Sequence, residues 1–340
     1  IGSSLVGSEM CIRDRAAGVS GLTNIVGLFF VKEYLDLSAA FLAGLGFWAG
    51  LPWVLKMPLG HIVDLIWKFK SILVFFGALI MAISSLIMYF LIAHKEEMIS
   101  VLNAETWFII STLLAPIGFV LQDVVADALT VEAIPKTDEK GNEIDFKTLK
   151  SLNVVMQLLG RVSIISGTLI VSFINLIMFS DSSEMSDNEK IVTYGKIYLY
   201  SLIVPIISIM GVVFSYISSK SRLNKLIKNG LAFEKAFNLI YPVLKATKPN
   251  KSIITGSIIF VIFTLSIGIS KIPFSQEIVF IGSFLIIVYL LMALSNQLDA
   301  VSKRMLIGTA IIIFVFRAMP SVGQGASWFE IDVLKFDQEF

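Results

Sequence analysis

Two carboxylates one helical turn apart on an otherwise apolar stretch are the first feature of this sequence with chemistry in it. In LQDVVADALTVEA, residues 121–133, Asp123 and Asp127 fall on one face of a helix, with Gln122 beside them and Glu132 toward the end of the stretch. The next apolar stretch carries Arg161, in MQLLGRVSIISG. Low dielectric raises the pKa of an acid and a neighbouring guanidinium lowers it again, so making and breaking such a contact moves a proton on or off the carboxylate. Asp123 and Arg161 each lie about ten residues, roughly 15 Å, from the same end of their stretches. Equal depth predicts that they meet. A permanent ion pair holding the two helices together is the competing reading, but two acids facing one arginine leave one acid over.

Other charges in apolar surroundings are few, and each costs at least about 2.5–3.5 kcal/mol to insert into hydrocarbon. Lys56, in GLPWVLKMPLG, either snorkels to the membrane surface, binds an anionic group or pairs with Asp127. Arg317 stands about thirteen residues into the last apolar stretch; its partner would be a ligand carboxylate or an acid outside this chain. The spacing Gly-x-x-x-Asp-x-x-x-basic, here Gly60, Asp64 and Lys68, suits a gate in which glycine allows close approach and the aspartate caps or bridges a neighbouring helix in one of two states. Small residues, Gly46 with Gly50 and then Gly160, Ser163 and Gly167, are read as helix-packing contacts. No catalytic, metal or cofactor site is expected. The two histidines, His61 and His94, fall at helix ends, and HExxH, GxSxG and GxGD are all absent.

The elements that must position these residues follow from composition. Of 340 residues 56% are hydrophobic and 16% charged, whereas soluble domains are about 25% charged; mean hydropathy is +0.83. The apolar residues fall in nine blocks, near 16–33, 39–59, 71–93, 106–133, 152–179, 192–218, 252–270, 278–296 and 304–328. A helix of about 20 residues crosses the hydrocarbon, so the expectation is an all-α, polytopic membrane protein.

Basic residues set its orientation. Ser219–Lys251 carries eight lysines and arginines against the single acid Glu234 and is expected in the cytoplasm, while the acidic SDSSEMSDNEK at 180–190 is expected outside. A six-helix bundle over 16–218 then precedes the basic loop 219–251, a further helix pair 252–296, and a new helix within 303–340. The protein would sit in the cell (inner) membrane as a multi-pass chain. Within the loop Leu223, Leu226, Phe233, Phe237, Ile240 and Leu244 recur at helical spacing, predicting an amphipathic helix on the membrane face, broken near Gly230 and before Pro242. A net charge of +1 without any basic, aromatic-interleaved tract argues against nucleic acid as a partner. The expected partners are the lipid bilayer, a small molecule and protons.

SLVGSEMCIRDR, residues 4–15, is unlike the rest. Leu5 to Asp14 back-translate into one frame of a transposase sequencing adapter, so residues 1–15 are set aside, and with them Cys11, the single cysteine. At an offset of 299 residues FFVKEYLDLSAAF (29–41) lies over WFEIDVLKFDQEF (328–340), placing Glu33 on Asp332, Leu35 on Leu334 and Phe41 on Phe340. Both stretches close a helix travelling in the same direction. Such parallel repeats describe two six-helix halves related about the membrane normal, so 303–340 is expected to open a second half whose other helices lie beyond this chain.

Taken together, PWVLKMPLGHIVD, QDVVADALTVEA and RAMPSVGQGASWFEIDVLKFDQEF resemble the folate-biopterin transporter family of the major facilitator superfamily. The likeness covers most of 16–218 and 304–340, and the motif around Asp123 is its most specific part. It implies a major facilitator-type bundle and secondary active uptake of folates, pteridines or related metabolites with protons, by alternating access. Lys56, Gly60, Asp64, Asp123, Asp127, Glu132 and Pro320 match family motif positions. Trp67 departs from the glycine usual in the wider superfamily, and the pair 252–296 is an unexpected insertion; the first bears on gating, the second on substrate. Muropeptide permeases are similar around Asp123 and form the alternative; a non-transport membrane protein is a more distant one.

Overall fold

The computed structural model describes residues 22–66, 69–132, 144–180, 185–228, 230, 232–240, 249–270, 272–296, 298–319 and 323–336. Helices make up 88% of these and no strand occurs among them, which settles the all-α class. Six helices are long and apolar enough to cross a membrane, or seven if one bent pair counts as a single span. Large side chains such as Phe76, Val162, Phe173, Ile262 and Leu285 are exposed. Apolar surface turned outward on this scale belongs in lipid.

The described helices are α1 Leu22–Tyr34, α2 Ala39–Gly50, α3 Lys56–Leu65, α4 Lys70–Ala93, α5 Lys95–Val101, α6 Ala104–Glu132, α7 Phe146–Met178, α8 Asp187–Ser201, α9 Ile203–Lys228, α10 Phe233–Ile240, α11 Lys251–Ile269, α12 Ser275–Ser295, α13 Ala300–Arg317 and α14 Gly323–Asp332. Their starts are chemically marked. Asp145 accepts from Thr148 N–H ahead of α7, Asn250 from Ser252 and Ile253 ahead of α11, and Asp299 from Val301 and Ser302 ahead of α13. Ser186 and Glu189 form a reciprocal capping box at α8. Each satisfies backbone N–H groups that a helix cannot bond internally.

These residues fall into two compact units, one within Ile1–Leu37, Val63–Thr247 and Phe336–Phe340, the other within Ser38–Ile62 and Lys248–Lys335. In the first, α4 and α6 pack most closely because both carry glycine at the crossing. A methyl group added at Gly77 would lie 2.6 Å from the Gly118 carbonyl oxygen, and one at Gly118 2.6 Å from Met81 Cγ. Further along, Ser84 and Ser111 exchange hydrogen bonds, each hydroxyl reaching the other's carbonyl at 2.8 and 2.9 Å. Lipid offers no hydrophobic drive for helix association, so close backbone contact and such bonds carry it. On the other side of α4, Ser201 donates to Ser85 at 2.9 Å. Tyr194 of α8 donates to Glu33 of α1 at 3.3 Å.

Together α8 and α9 form a helical stretch of 42 residues with an apolar middle, interrupted only at Leu202 ahead of Pro205. At 1.5 Å per residue that is roughly 63 Å, about twice the hydrocarbon thickness. The last turns of α9, with exposed Lys220, Lys225 and Lys228, therefore emerge into water.

In the second unit Trp48 of α2 meets Gly268 of α11, and Gly44 faces Gln276 of α12. Gly256 fits against Leu290 and Gly282 against Phe263, seating α11 on α12. Two sequence expectations need correction here. Gly46 and Gly50 have nothing within 4 Å of an added methyl, so they mediate no close packing among the described residues. The apolar block 304–328 is not one continuous helix: α13 ends at Arg317 and α14 begins at Gly323, whose φ of 62° is one glycine adopts without strain. The block 39–59 is also bent: Ala39–Leu55, which closes in a 3-10 turn over Leu51–Leu55, meets Pro58–Leu65 at 40°.

Candidate functional site

The close fit of α4 on α6 determines which side chains of α6 are hidden. Gln122 is buried and donates to the Val74 carbonyl at 3.4 Å, the span Val124 to Ala126 is buried too, and Asp123 sits at the margin with one carboxylate oxygen covered. Asp127, one turn on, is exposed. The two aspartates thus occupy the flank of α6 turned away from its main contact, about 13 Å and 7 Å from the Glu132 end of the helix. The Glu132 side chain lies outside the described residues.

Arg161 sits near the middle of the 33-residue α7. The buried stripe of this helix is Met156, Gly160, Ser163, Gly167, Val171 and Asn175. Leu158, Val162, Ile165, Leu169 and Phe173 form the opposite, exposed apolar face. Arg161 follows Gly160 directly, and one residue turns a helix by about 100°, which puts the guanidinium on the border between stripe and lipid face. It is exposed and makes no ion pair among the described residues.

The expected pairing of Arg161 with Asp123 or Asp127 therefore does not form. The main contact of α6 is with α4 and that of α7 is with α1, and Arg161 stands about 22 Å from the Phe146 end of α7 where Asp123 is about 13 Å from the Glu132 end of α6, so neither the facing nor the matched distance from the helix ends that the pairing needs is met.

Lys56, half-buried, holds its ammonium 5.8 Å from the centre of the Trp53 ring, within cation–π range. Arg317 is the last residue of α13 and exposed, so it stands in a C-terminal turn, where a cation complements the helix dipole, rather than mid-helix as expected. Gly60 lies within α3 and Asp64 is exposed one residue before its end. Lys68, Trp67 and Pro320 lie outside the described residues, as does the 1–15 segment with Cys11. Among the described residues no group of His, Cys, Asp or Glu is arranged to hold a metal ion.

Sequence reasoning passed over two polar residues on the flank of α7 that carries Arg161, the second of them about 21 Å away along the axis. Gln157 stands one turn before Arg161, and Asn175, fourteen residues on, returns to the same flank to within about 40°. Gln157 is exposed; Asn175 is 3% exposed, and its side-chain amide makes no hydrogen bond among the described residues. Leaving an amide so placed costs about 1–3 kcal/mol. A polar residue recurring at helical spacing within an apolar stretch was the available signal. A concavity of about 460 Å³ elsewhere, lined by Ala300, Lys303, Arg304, Ile307, Gly308 and Ile311, is an open face of α13 alone and contains none of this chemistry apart from two cations.

Compared with protein-family models, curated proteins and solved structures, the chain has no match.

Proposed function

We propose that this chain belongs to a secondary active transporter of the cell membrane that takes up a folate- or pteridine-like metabolite together with protons, by alternating access. The observation that carries the reading is Arg161: a guanidinium in the middle of a membrane helix, exposed and without an ion-pair partner among the described residues. Hydrocarbon does not tolerate such a group, so it faces water or an anion in function. Asp123 and Asp127 on α6 supply the carboxylates that this scheme assigns to proton coupling. The motif resemblance around them names the class of cargo, since folates and pteridines present carboxylates and polar heterocycles that an arginine and a glutamine recognise. Lys56 is a further anion ligand, and Gly60, Asp64, Lys68 and Glu132 serve gating in this scheme, with 219–251 in the cytoplasm.

The test is uptake of a radiolabelled panel of pteridines, folates and muropeptides by cells expressing the whole gene. A pteridine or folate is expected to accumulate under an inward proton gradient. Arg161→Ala should lower that uptake about tenfold or more at unchanged membrane abundance, the loss of one charge-assisted contact. Accumulation of a muropeptide instead would transfer the assignment to that class, and no accumulation of any compound would refute transport.

A further inference from the structure

The short helix α10 has two sharply different sides. Phe233, Ala236 and Phe237 fall on one, Glu234 and Lys235 on the other. Ala236 is fully buried, yet the two phenylalanines flanking it are 63% and 41% exposed and stack on each other with ring centres 5.8 Å apart. Gly230, at a φ of 90° and with its N–H bonded to the Ile227 carbonyl, ends α9 and sets α10 against it. On the last turns of α9 and on α10, Lys220, Lys225, Lys228 and Lys235 are all exposed, and none makes an ion pair among the described residues. Glu234 is the single acid within Ser219–Lys251.

Paired exposed aromatics next to an almost uncompensated cationic cluster, at the point where a membrane-crossing helix emerges into water, match the two signals that hold a helix in a charged bilayer surface: apolar insertion and attraction to anionic headgroups. We propose that α10 and the last turns of α9 form a docking surface for anionic phospholipid. Phe233 and Phe237 enter the boundary between headgroups and acyl chains, and Lys220, Lys225 and Lys228 on the last turns of α9 face the lipid phosphates. Either signal alone gives weak, reversible contact; together they fix the segment on the membrane. The surface is distinct from the charges on α6 and α7 and does not depend on what the protein carries.

The test reconstitutes the whole chain in nanodiscs of phosphatidylcholine, or of about two parts phosphatidylcholine to one of phosphatidylglycerol. A nitroxide is placed at Phe233→Cys in a Cys11→Ser background. In the anionic discs the label should be reached by dissolved oxygen and shielded from a water-soluble nickel complex. In phosphatidylcholine alone, or with Lys220, Lys225 and Lys228 changed to Gln, shielding should be lost. Inorganic phosphate added to the anionic discs should leave it unchanged. The proposal falls if the label stays open to nickel in anionic discs, if shielding is the same in both lipids and in the glutamine variant, if inorganic phosphate abolishes it, or if dipolar broadening shows that a second copy of the chain covers the label.

Discussion

Arg161 shows how much one residue step matters on a helix. Displaced by about 100° from Gly160, the guanidinium leaves the buried stripe of α7 without joining the apolar face made by Leu158 and Val162. That position was half legible in the sequence. Its depth could be counted, but its direction required knowing which stripe of α7 is buried, and the small residues Gly160, Ser163 and Gly167 already marked that stripe. Counting depth from the ends of the apolar blocks and leaving out rotation produced the Asp–Arg pair that the structure does not contain. The same geometry makes a prediction at this scale. Single cysteines at 157 and 161, in a Cys11→Ser background, should react with a membrane-impermeant thiol reagent in intact membranes, and cysteines at 158 and 162 should not. Equal protection at all four would place Arg161 in lipid and remove the observation on which the transport assignment rests.

Between elements, the α4–α6 contact does most to place the candidate site, because it buries Gln122 and leaves Asp123 and Asp127 on the flank turned away from α4. Two glycines 41 positions apart create it, and nothing in either local sequence announces that they will face each other. Helix existence was legible from the apolar blocks; this partnership was not. Gly118→Ala should destabilise the folded chain by about 1–3 kcal/mol in detergent unfolding, since the added methyl meets backbone at Gly77 as well as Met81. Gly195→Ala, whose methyl would meet nothing closer than 3.6 Å, should be neutral or slightly stabilising.

Helix starts, by contrast, were written locally, in Asp145, Ser186, Asn250 and Asp299. Hydrogen bonds from Thr148 hold the Asp145 carboxyl below the usual carboxylate range. Its capping contribution is therefore complete above the unfolded carboxylate value of about 3.9 and is lost as pH falls through the lower folded value. Hydrogen-exchange protection factors in the first turn of α7 should fall across that acidic window. Asp145→Ala should show low protection at every pH, with no such dependence.

As a whole the molecule is an all-α membrane protein of two compact units, and its sequence announced the class through hydropathy alone. It did not announce the bend in the block 39–59 or the split in 304–328. Proline and glycine act there against an apolar pattern that reads as continuous, at Pro58 and Gly323. In the proposed function the acids on α6 couple proton movement to the uptake of an anionic metabolite. Asparagine keeps the size of aspartate and removes its charge, and exchange of substrate across the membrane needs no net proton movement, whereas accumulation does. The most direct measurement compares gradient-driven accumulation with substrate exchange in cells expressing the whole gene with Asp123→Asn or Asp127→Asn, at matched membrane abundance. At least one variant should lose accumulation while keeping exchange; full, pH-dependent accumulation in both would contradict the account.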